Sequence, residues 1–89
     1  MKAFITVTGK DTTGVIARVA GQCAELGVNV EDVSQSILQG VFAMIMLVNL
    51  DNCSSSVEEL RSKFQTLADE MEMQITVTRQ EVFDAMHKI

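Results

Sequence analysis

The residues best suited to chemistry lie in one short polar segment near the start of the chain, G-K-D-T-T-G at 9–14. A β-rich stretch precedes this segment and an apolar stripe with helical spacing follows it, so we expect a strand to end and a helix to begin here. The first N–H groups of a helix have no partner within the helix, and the helix dipole makes that end partly positive. The corner between Asp11 and Val15 is therefore predicted to accept a carboxylate or a phosphate.

The other reactive side chains do not form a catalytic set. Cys23 lies within an apolar stripe, and Cys53 lies in a polar loop without the basic neighbour that would activate its thiol. His87 is the single histidine and lies near the end of the chain, where we expect a surface role. Met44 and Met46 have no cysteine or histidine beside them, so we interpret them as packing residues rather than metal ligands.

Composition and charge narrow the class of protein. The 89 residues predict a single domain over 1–89, with a core at 1–80 and a terminal helix at 81–89. The formal charge of −5 opposes binding to nucleic acid and to anionic membranes. No secretory signal pattern opens the chain, no run approaches the roughly 18 apolar residues of a membrane span, and the cysteines are few, so we expect a cytoplasmic protein.

The apolar periodicities predict the element order βαββαβ followed by a short helix. The predicted elements lie, in chain order, at 2–8, 15–26, 28–38, 41–50, 57–71, 73–78 and 81–89. Thr12 or Thr13 is expected to cap the first helix and Gly27 to end it. Ser56 and Glu59 have the spacing of a capping box for the second helix.

This order predicts an α+β fold. Each βαβ half prefers a right-handed crossover, which leaves both helices on one face of the sheet. The compact solution is the ferredoxin-like sandwich, a four-stranded antiparallel sheet in the order 4-1-3-2. The first and third strands are then central, and the second is a polar edge strand.

The third predicted strand is apolar on both sides, so both faces of the sheet need cover. We expect Ile45 and Leu47 to face the helices and a second set of apolar side chains to face away from them: Phe4, Phe42, Met44, Met46 and Val48. An apolar face of that size is uncommon on a soluble monomer, so the terminal helix or a second subunit must cover it. The predicted dimer-interface residues are Phe42, Met44, Met46, Ser34 and Gln35.

Two runs of residues resemble the ACT domain, a family of small regulatory modules that typically bind amino acids. They are G-K-D-x-x-G-V-x-A-x-V at 9–19 and A-E-L-G-V-N-V-E-D-V-S-Q at 24–35. The chain is most similar to small stand-alone ACT proteins of the UPF0237 type. It also resembles the ACT halves of the glycine-cleavage regulator and the N-terminal domain of formyltetrahydrofolate deformylase.

The resemblance implies a homodimer whose effector binds between the loop after the first strand and the neighbouring subunit. Asp11 and Gly14 match the D-x-x-G positions of that loop, and Asn29 matches an amide that meets the ligand across the interface. Backbone N–H groups would hold a ligand carboxylate, and Asp11 would pair with an ammonium. The ligand-binding residues implied in this way are Asp11, Thr12, Thr13, Gly14, Val15, Asn29 and Val30.

We therefore expect a non-catalytic regulatory module that binds an amino acid or another small carboxylate, needs no cofactor, and acts on an enzyme or a transcription factor. Two alternatives stay open, namely a structural dimerisation subunit without a ligand and an acylphosphatase-like enzyme. The enzyme would need an arginine fork after the first strand, where only Lys10 stands. Gly14 and Asn29 also have a purely structural interpretation as turn residues.

Overall fold

The computed structural model describes residues 1–10 and 13–86, which form an α+β fold around one antiparallel sheet. Its elements are β1 (Lys2–Lys10), α1 (Val15–Glu25), β2 (Asn29–Leu38), β3 (Val41–Asn49), α2 (Val57–Met71), β4 (Gln74–Arg79) and α3 (Gln80–Met86). The strands pair antiparallel in the order β2-β3-β1-β4. The predicted ferredoxin-like sheet is thus confirmed.

The capping box of α2 is confirmed in full. The Glu59 amide donates to the Ser56 hydroxyl at 3.2 Å, and the Ser56 amide donates to the Glu59 carboxylate at 3.1 Å. The hydrogen bond from the Ser56 amide, together with the Ser56 side chain, stabilises the charged carboxylate and so lowers the pKa of Glu59. The helix then buries an apolar stripe formed by Val57, Leu60, Phe64, Leu67 and Ala68.

The start of α1 differs from the prediction. Its N-cap is Gly14 in the left-handed conformation, with φ 86°, so the predicted cap at Thr13 is wrong. The alternative cap at Thr12 lies outside the described residues. Ile16 and Ala20 follow the helical spacing of the apolar residues but are exposed, because only a narrow set of α1 side chains is buried, namely Val15, Val19 and Cys23.

The predicted end of α1 is confirmed. Gly27 has φ 73°, its amide donates to the Ala24 carbonyl, and the Val28 amide donates to the Cys23 carbonyl at 2.8 Å. This is the hydrogen-bond pattern of a Schellman motif. A Cβ at Gly27 would lie 2.7 Å from the carbonyl oxygen of Asn52, so close packing also requires glycine here.

The orientation expected for β3 is wrong by one residue. Four side chains that were expected to face away from the helices are buried beneath them and are at most 3% exposed: Phe42, Met44, Met46 and Val48. They lie opposite the buried residues of β1, as in the pair Ile5 and Met46, and paired residues point to the same face. Phe42, Met44 and Met46 therefore belong to the core and are not exposed for contact with a second subunit.

The face opposite α1 and α2, called the open face below, carries the alternate residues of each strand. Ile45 lies on it and is 42% exposed, with the half-buried Leu47 nearby. The terminal helix α3 packs on this face against β1 and β4, and the ring centroids of Phe4 and Phe83 are 4.3 Å apart. The predicted docked helix is thus observed for its described part, and 87–89 lie outside the described residues.

The two edges of the sheet differ. β2 is the polar edge strand that was predicted, with every residue exposed except the half-buried Val30, and it joins β3 through a turn at Gln39 and Gly40. β4 forms the other edge and packs against α2. There the Arg61 Nε donates to the Val77 carbonyl at 2.9 Å.

Candidate functional site

A cleft of about 450 Å³ lies between the first turn of α1 and the edge strand β2. Its lining residues are Thr13, Gly14, Val15, Ile16, Ala17, Gln35, Ser36, Ile37 and Phe42. Gln35 and Ile37 pair with the buried residues Met44 and Phe42, so they point to the helix side of the sheet. The volume falls in the range of roughly 300–1,000 Å³ that is usual for small-molecule sites.

The backbone at the start of α1 is the main polar feature of the cleft. The first helical hydrogen bond runs from the Arg18 amide to the Gly14 carbonyl at 3.0 Å. The amides of Val15, Ile16 and Ala17 therefore have no acceptor within the helix. No side chain of the described residues caps this end. These amides form a seat for an anion.

The two helices of the core differ in this respect. The side chains of Ser56 and Glu59 accept hydrogen bonds from backbone amides at the start of α2. At the start of α1 the N-cap is Gly14, which has no side chain that could do the same. A bound carboxylate would accept hydrogen bonds from the first amides of α1, as the Ser56 and Glu59 side chains do at the start of α2.

The described walls of the cleft are uncharged. Ile37 and Phe42 form an apolar side, and Thr13, Gln35 and Ser36 add neutral polar groups. The side-chain amide of Gln35 can both donate and accept a hydrogen bond. The cleft therefore suits a small molecule with an anionic group at the helix end and an apolar part against the sheet.

Three of the predicted ligand-binding residues lie together at the cleft: Thr13, Gly14 and Val15. Asp11 and Thr12 lie outside the described residues. The described part of the predicted corner therefore lines the cleft.

Asn29 and Val30 lie at the opposite end of the sheet. Asn29 pairs with Asn49, which pairs with Lys2, whereas the cleft lies near the Lys10 end of β1. The eight residue steps between these ends span roughly 27 Å. Within one protomer Asn29 cannot reach the cleft, and Val30 packs against the core.

The wall formed by β2 was missed by sequence reasoning. Ser34 and Gln35 were both predicted as dimer contacts, yet Ser34 pairs with Ile45 on the open face while Gln35 lines the cleft. The signal that could have found this wall is the pairing register of the hairpin, which the two-residue turn after Leu38 sets. Counting outward from that turn puts Ile37 opposite Phe42, so the two side chains share one face of the sheet.

The Asn29 end of the sheet holds an ionic cluster. The Lys2 ammonium lies 2.9 Å from the Glu31 carboxylate, and the Asn49 amide donates to the same carboxylate at 3.3 Å. Hydrogen bonds from Lys2 and Asn49 lower the pKa of Glu31. The cluster links the ends of β1, β2 and β3, so we interpret it as structural.

The cysteines agree with their sequence interpretation. Burial raises the pKa of the Cys23 thiol to about 11, which keeps it protonated and unreactive. Cys53 is half-buried, with its sulfur 3.7 Å from the Ser55 carbonyl oxygen.

Within residues 1–10 and 13–86, no three side chains of His, Cys, Asp or Glu are grouped to hold a metal ion. In that same part of the chain, every helix is too short or too polar to cross a membrane.

Comparison with known proteins links this geometry to one family. The ACT domain model matches residues 2–78. A UPF0237 protein of Listeria innocua is 37% identical over 89 residues, with all of both chains covered. An ACT domain protein from Streptococcus pneumoniae superposes with a TM-score of 0.83 at 37% identity over 94% of each chain. A formyltetrahydrofolate deformylase from Pseudomonas syringae shares the fold, with a TM-score of 0.80 at 22% identity over 88% of this chain and 27% of that one.

Proposed function

This chain belongs to the ACT domain family of regulatory ligand-binding modules, and we propose that it binds a small carboxylate, an amino acid foremost, in the cleft between α1 and β2. It acts as a homodimer without catalysis of its own and regulates a partner enzyme or transcription factor. The proposal depends on one observation, which is that the start of α1, where no side chain of the described residues acts as a cap, lies beside a cavity of about 450 Å³.

The ligand would bind by its carboxylate to the free amides of Val15, Ile16 and Ala17. Its side chain would lie against the apolar wall that Ile37 contributes from β2. The ammonium of an amino acid would meet the amide oxygen of Gln35, and the match to the family adds Asp11. Each polar group of the ligand would then have a partner, which burial of such groups requires.

The second copy would join along β2. Residues 33–38 of that strand carry no charge, and a free edge of this kind is a template for another strand. Antiparallel pairing of two β2 strands near Ser34 would extend the sheet to eight strands. It would also carry Asn29 of one copy to the Leu38 end of the other, beside the cleft. The residues that lie apart in one protomer would meet in the dimer.

Ligand-dependent stabilisation tests the proposal. A ligand at 100 times its dissociation constant adds about 2.7 kcal/mol to the free energy of unfolding. For a domain of this size, that raises Tm by roughly 10–20 °C. Differential scanning fluorimetry with the twenty amino acids and their 2-oxo acids measures this shift, and isothermal titration calorimetry measures the affinity of each ligand that produces it.

Two matched variants localise the site. Gln35→Ala removes the polar group of the cleft wall, so we expect the Tm shift to fall, whereas Gln74→Ala changes an exposed glutamine on the other edge strand and should leave the shift unchanged. If no small carboxylate moved Tm, the dimerisation subunit without a ligand would become the better explanation. Acyl-phosphate hydrolysis that disappears in Lys10→Ala would support the enzyme instead.

A further inference from the structure

Two exposed isoleucines lie on the two walls of the cleft between α1 and β2. Ile16 comes from the first turn of α1 and is 45% exposed, and Ile37 comes from the edge strand β2 and is 59% exposed. Both line the cavity of about 450 Å³. Single apolar side chains on a protein surface are common, whereas two that line the same cavity form an apolar contact site for a ligand.

The packing of the protein does not account for either side chain. The α1 side chains that belong to the core are Val15, Val19 and Cys23, and Ile16 is not among them. Ile37 also lies outside the core, although its strand partner Phe42 is only 3% exposed. Each isoleucine therefore keeps apolar surface in contact with water. A ligand that covered this surface would be bound more tightly for doing so.

The described lining of the cleft offers no ion-pair partner to a charged ligand side chain. Its polar side chains are Thr13, Gln35 and Ser36, which are neutral, and the other described lining residues are apolar or glycine. A charged group that enters such a site loses its hydration without gaining an ion pair, which is unfavourable. The walls that bind an apolar side chain therefore also reject a charged one.

The position of Ile16 links this selection to the carboxylate. Its own amide is among those that have no acceptor within the helix, because the first helical hydrogen bond is donated by Arg18. The Cα–Cβ bonds of a helix tilt toward its N-terminus, so the Ile16 side chain leans toward the end where the carboxylate would bind. In an amino acid the side chain begins one carbon away from the carboxylate. Its first carbons would therefore lie beside Ile16, and a longer chain would reach Ile37.

We infer that the cleft selects amino acids with an apolar side chain, and that Ile16 and Ile37 are its specificity-determining residues. The inference rests on the proposed function, because it assigns a class of ligand to the same cleft. It goes further in ranking the ligands. Affinity rises with the apolar area of the ligand side chain, and amino acids with a charged side chain bind poorly.

The expected differences in affinity follow from burial. Full burial of one methylene group changes affinity roughly fourfold. Leucine has two side-chain carbons more than 2-aminobutyrate, so it should bind about 15-fold more tightly. Aspartate has nearly the shape of leucine, with two charged oxygens in place of two methyl groups, and it should bind at least about 30-fold more weakly than leucine.

Isothermal titration calorimetry of the full chain with leucine, 2-aminobutyrate and aspartate measures these ratios. Leucine is expected to bind most tightly of the three. Equal affinities for leucine and aspartate would overturn the inference and leave the binding of small carboxylates in the cleft intact. If none of the twenty amino acids bound, both the inference and the proposed function would be overturned.

Two neighbouring residues of β2 provide a matched pair of variants. Ile37→Ala shortens one wall, so the ratio of leucine affinity to 2-aminobutyrate affinity should fall at least about threefold. Leu38→Ala removes a side chain that is 74% exposed on the open face, opposite Val41, and should leave this ratio unchanged. The ratio isolates recognition of the ligand side chain, because general damage to the cleft weakens both ligands alike. A ratio that Ile37→Ala leaves unchanged would overturn the role of Ile37.

A charged replacement at the same position tests the inference by gain of binding. Ile37→Lys places an ammonium in the β2 wall, where it can pair with the side-chain carboxylate of glutamate. The ratio of glutamate affinity to leucine affinity should therefore rise at least about tenfold above that of the wild type. Leu38→Lys adds the same charge on the open face and should not change the ratio. Equal ratios in the two variants would show that the ligand side chain does not lie against Ile37.

Discussion

Gly14 and Gly27 both have left-handed backbone conformations at the two ends of α1, yet their surroundings differ. An added Cβ at Gly14 meets nothing within 4 Å, whereas one at Gly27 meets the Asn52 carbonyl oxygen at 2.7 Å. Gly14 is therefore needed only for its backbone angles. Gly27 is needed for its angles and for its lack of volume.

This difference predicts unequal losses of stability. Gly14→Ala should lower the free energy of unfolding by about 1 kcal/mol, the usual cost of a left-handed alanine. Gly27→Ala should cost at least about 2 kcal/mol, because the loop at Asn52 must also move. Urea unfolding of the two variants measures both values. Equal losses of free energy of unfolding in the two variants would mean that the loop at Asn52 can move away without destabilising the protein.

The neighbours Met46 and Ile45 provide a second test at the residue scale. Met46 is buried in the core and Ile45 lies on the open face. Met46→Ala should lower the free energy of unfolding by about 2–5 kcal/mol, as removal of a buried side chain does. Ile45→Ala should cost less than about 1 kcal/mol in a dilute monomer. The reverse order in chemical denaturation would show that the strand faces the other way.

At the scale of elements, the N-termini of α1 and α2 differ in how their first amides are hydrogen-bonded. At the start of α2, the side chains of Ser56 and Glu59 accept hydrogen bonds from backbone amides. At the start of α1, the N-cap Gly14 has no side chain that could accept them, so the first amides can donate to a ligand. The first arrangement stabilises the fold, and the second leaves a binding function open.

The capping box of α2 should give stability a measurable pH dependence. Hydrogen bonds at Ser56 lower the pKa of Glu59 below its ordinary value of 4.5. The folded state therefore binds that proton less readily than the unfolded state, so the stabilisation is present above pH 4.5 and is lost as pH falls through the lowered folded pKa. Stability curves of wild type and Glu59→Gln from pH 7 to pH 3 should converge toward the acid end. Parallel curves would contradict a stabilising role for the ionised side chain.

Sequence reasoning succeeded for elements whose pattern is amphipathic. The capping box of α2 and the end of α1 at Gly27 were both predicted, because each depends on local spacing alone. β3 failed because it is apolar on both sides, so its periodicity does not say which side faces the helices. Only its register with β1 decides that, and register depends on pairing distant in sequence.

The candidate site was predicted in part for the same reason. The corner at Thr13 to Val15 follows from a strand, a turn and a helix that are contiguous in the chain. Its second wall comes from Gln35 and Ile37, which reach the corner only through the β2–β3 hairpin. The remote position of Asn29 within the protomer follows from the strand directions alone, because β1 and β2 are both antiparallel to β3 and therefore begin at the same end of the sheet.

At the scale of the whole molecule, the sheet has surfaces of three kinds. One face is buried under α1 and α2 with the cleft at its margin, the open face carries α3, and β2 forms an edge of the sheet. The proposed contact along β2 uses the edge alone, so it would leave both faces of the sheet unchanged.

The bond from Arg61 to the Val77 carbonyl has a consequence for how far such assembly can proceed. A sheet with two open sides can recruit a strand at each, and growth then continues without limit into a filament. Here Arg61 donates to one carbonyl of β4, so a strand added at that edge would have to displace this hydrogen bond. The same guanidinium that links α2 to β4 thus makes the addition of a further strand at β4 less favourable.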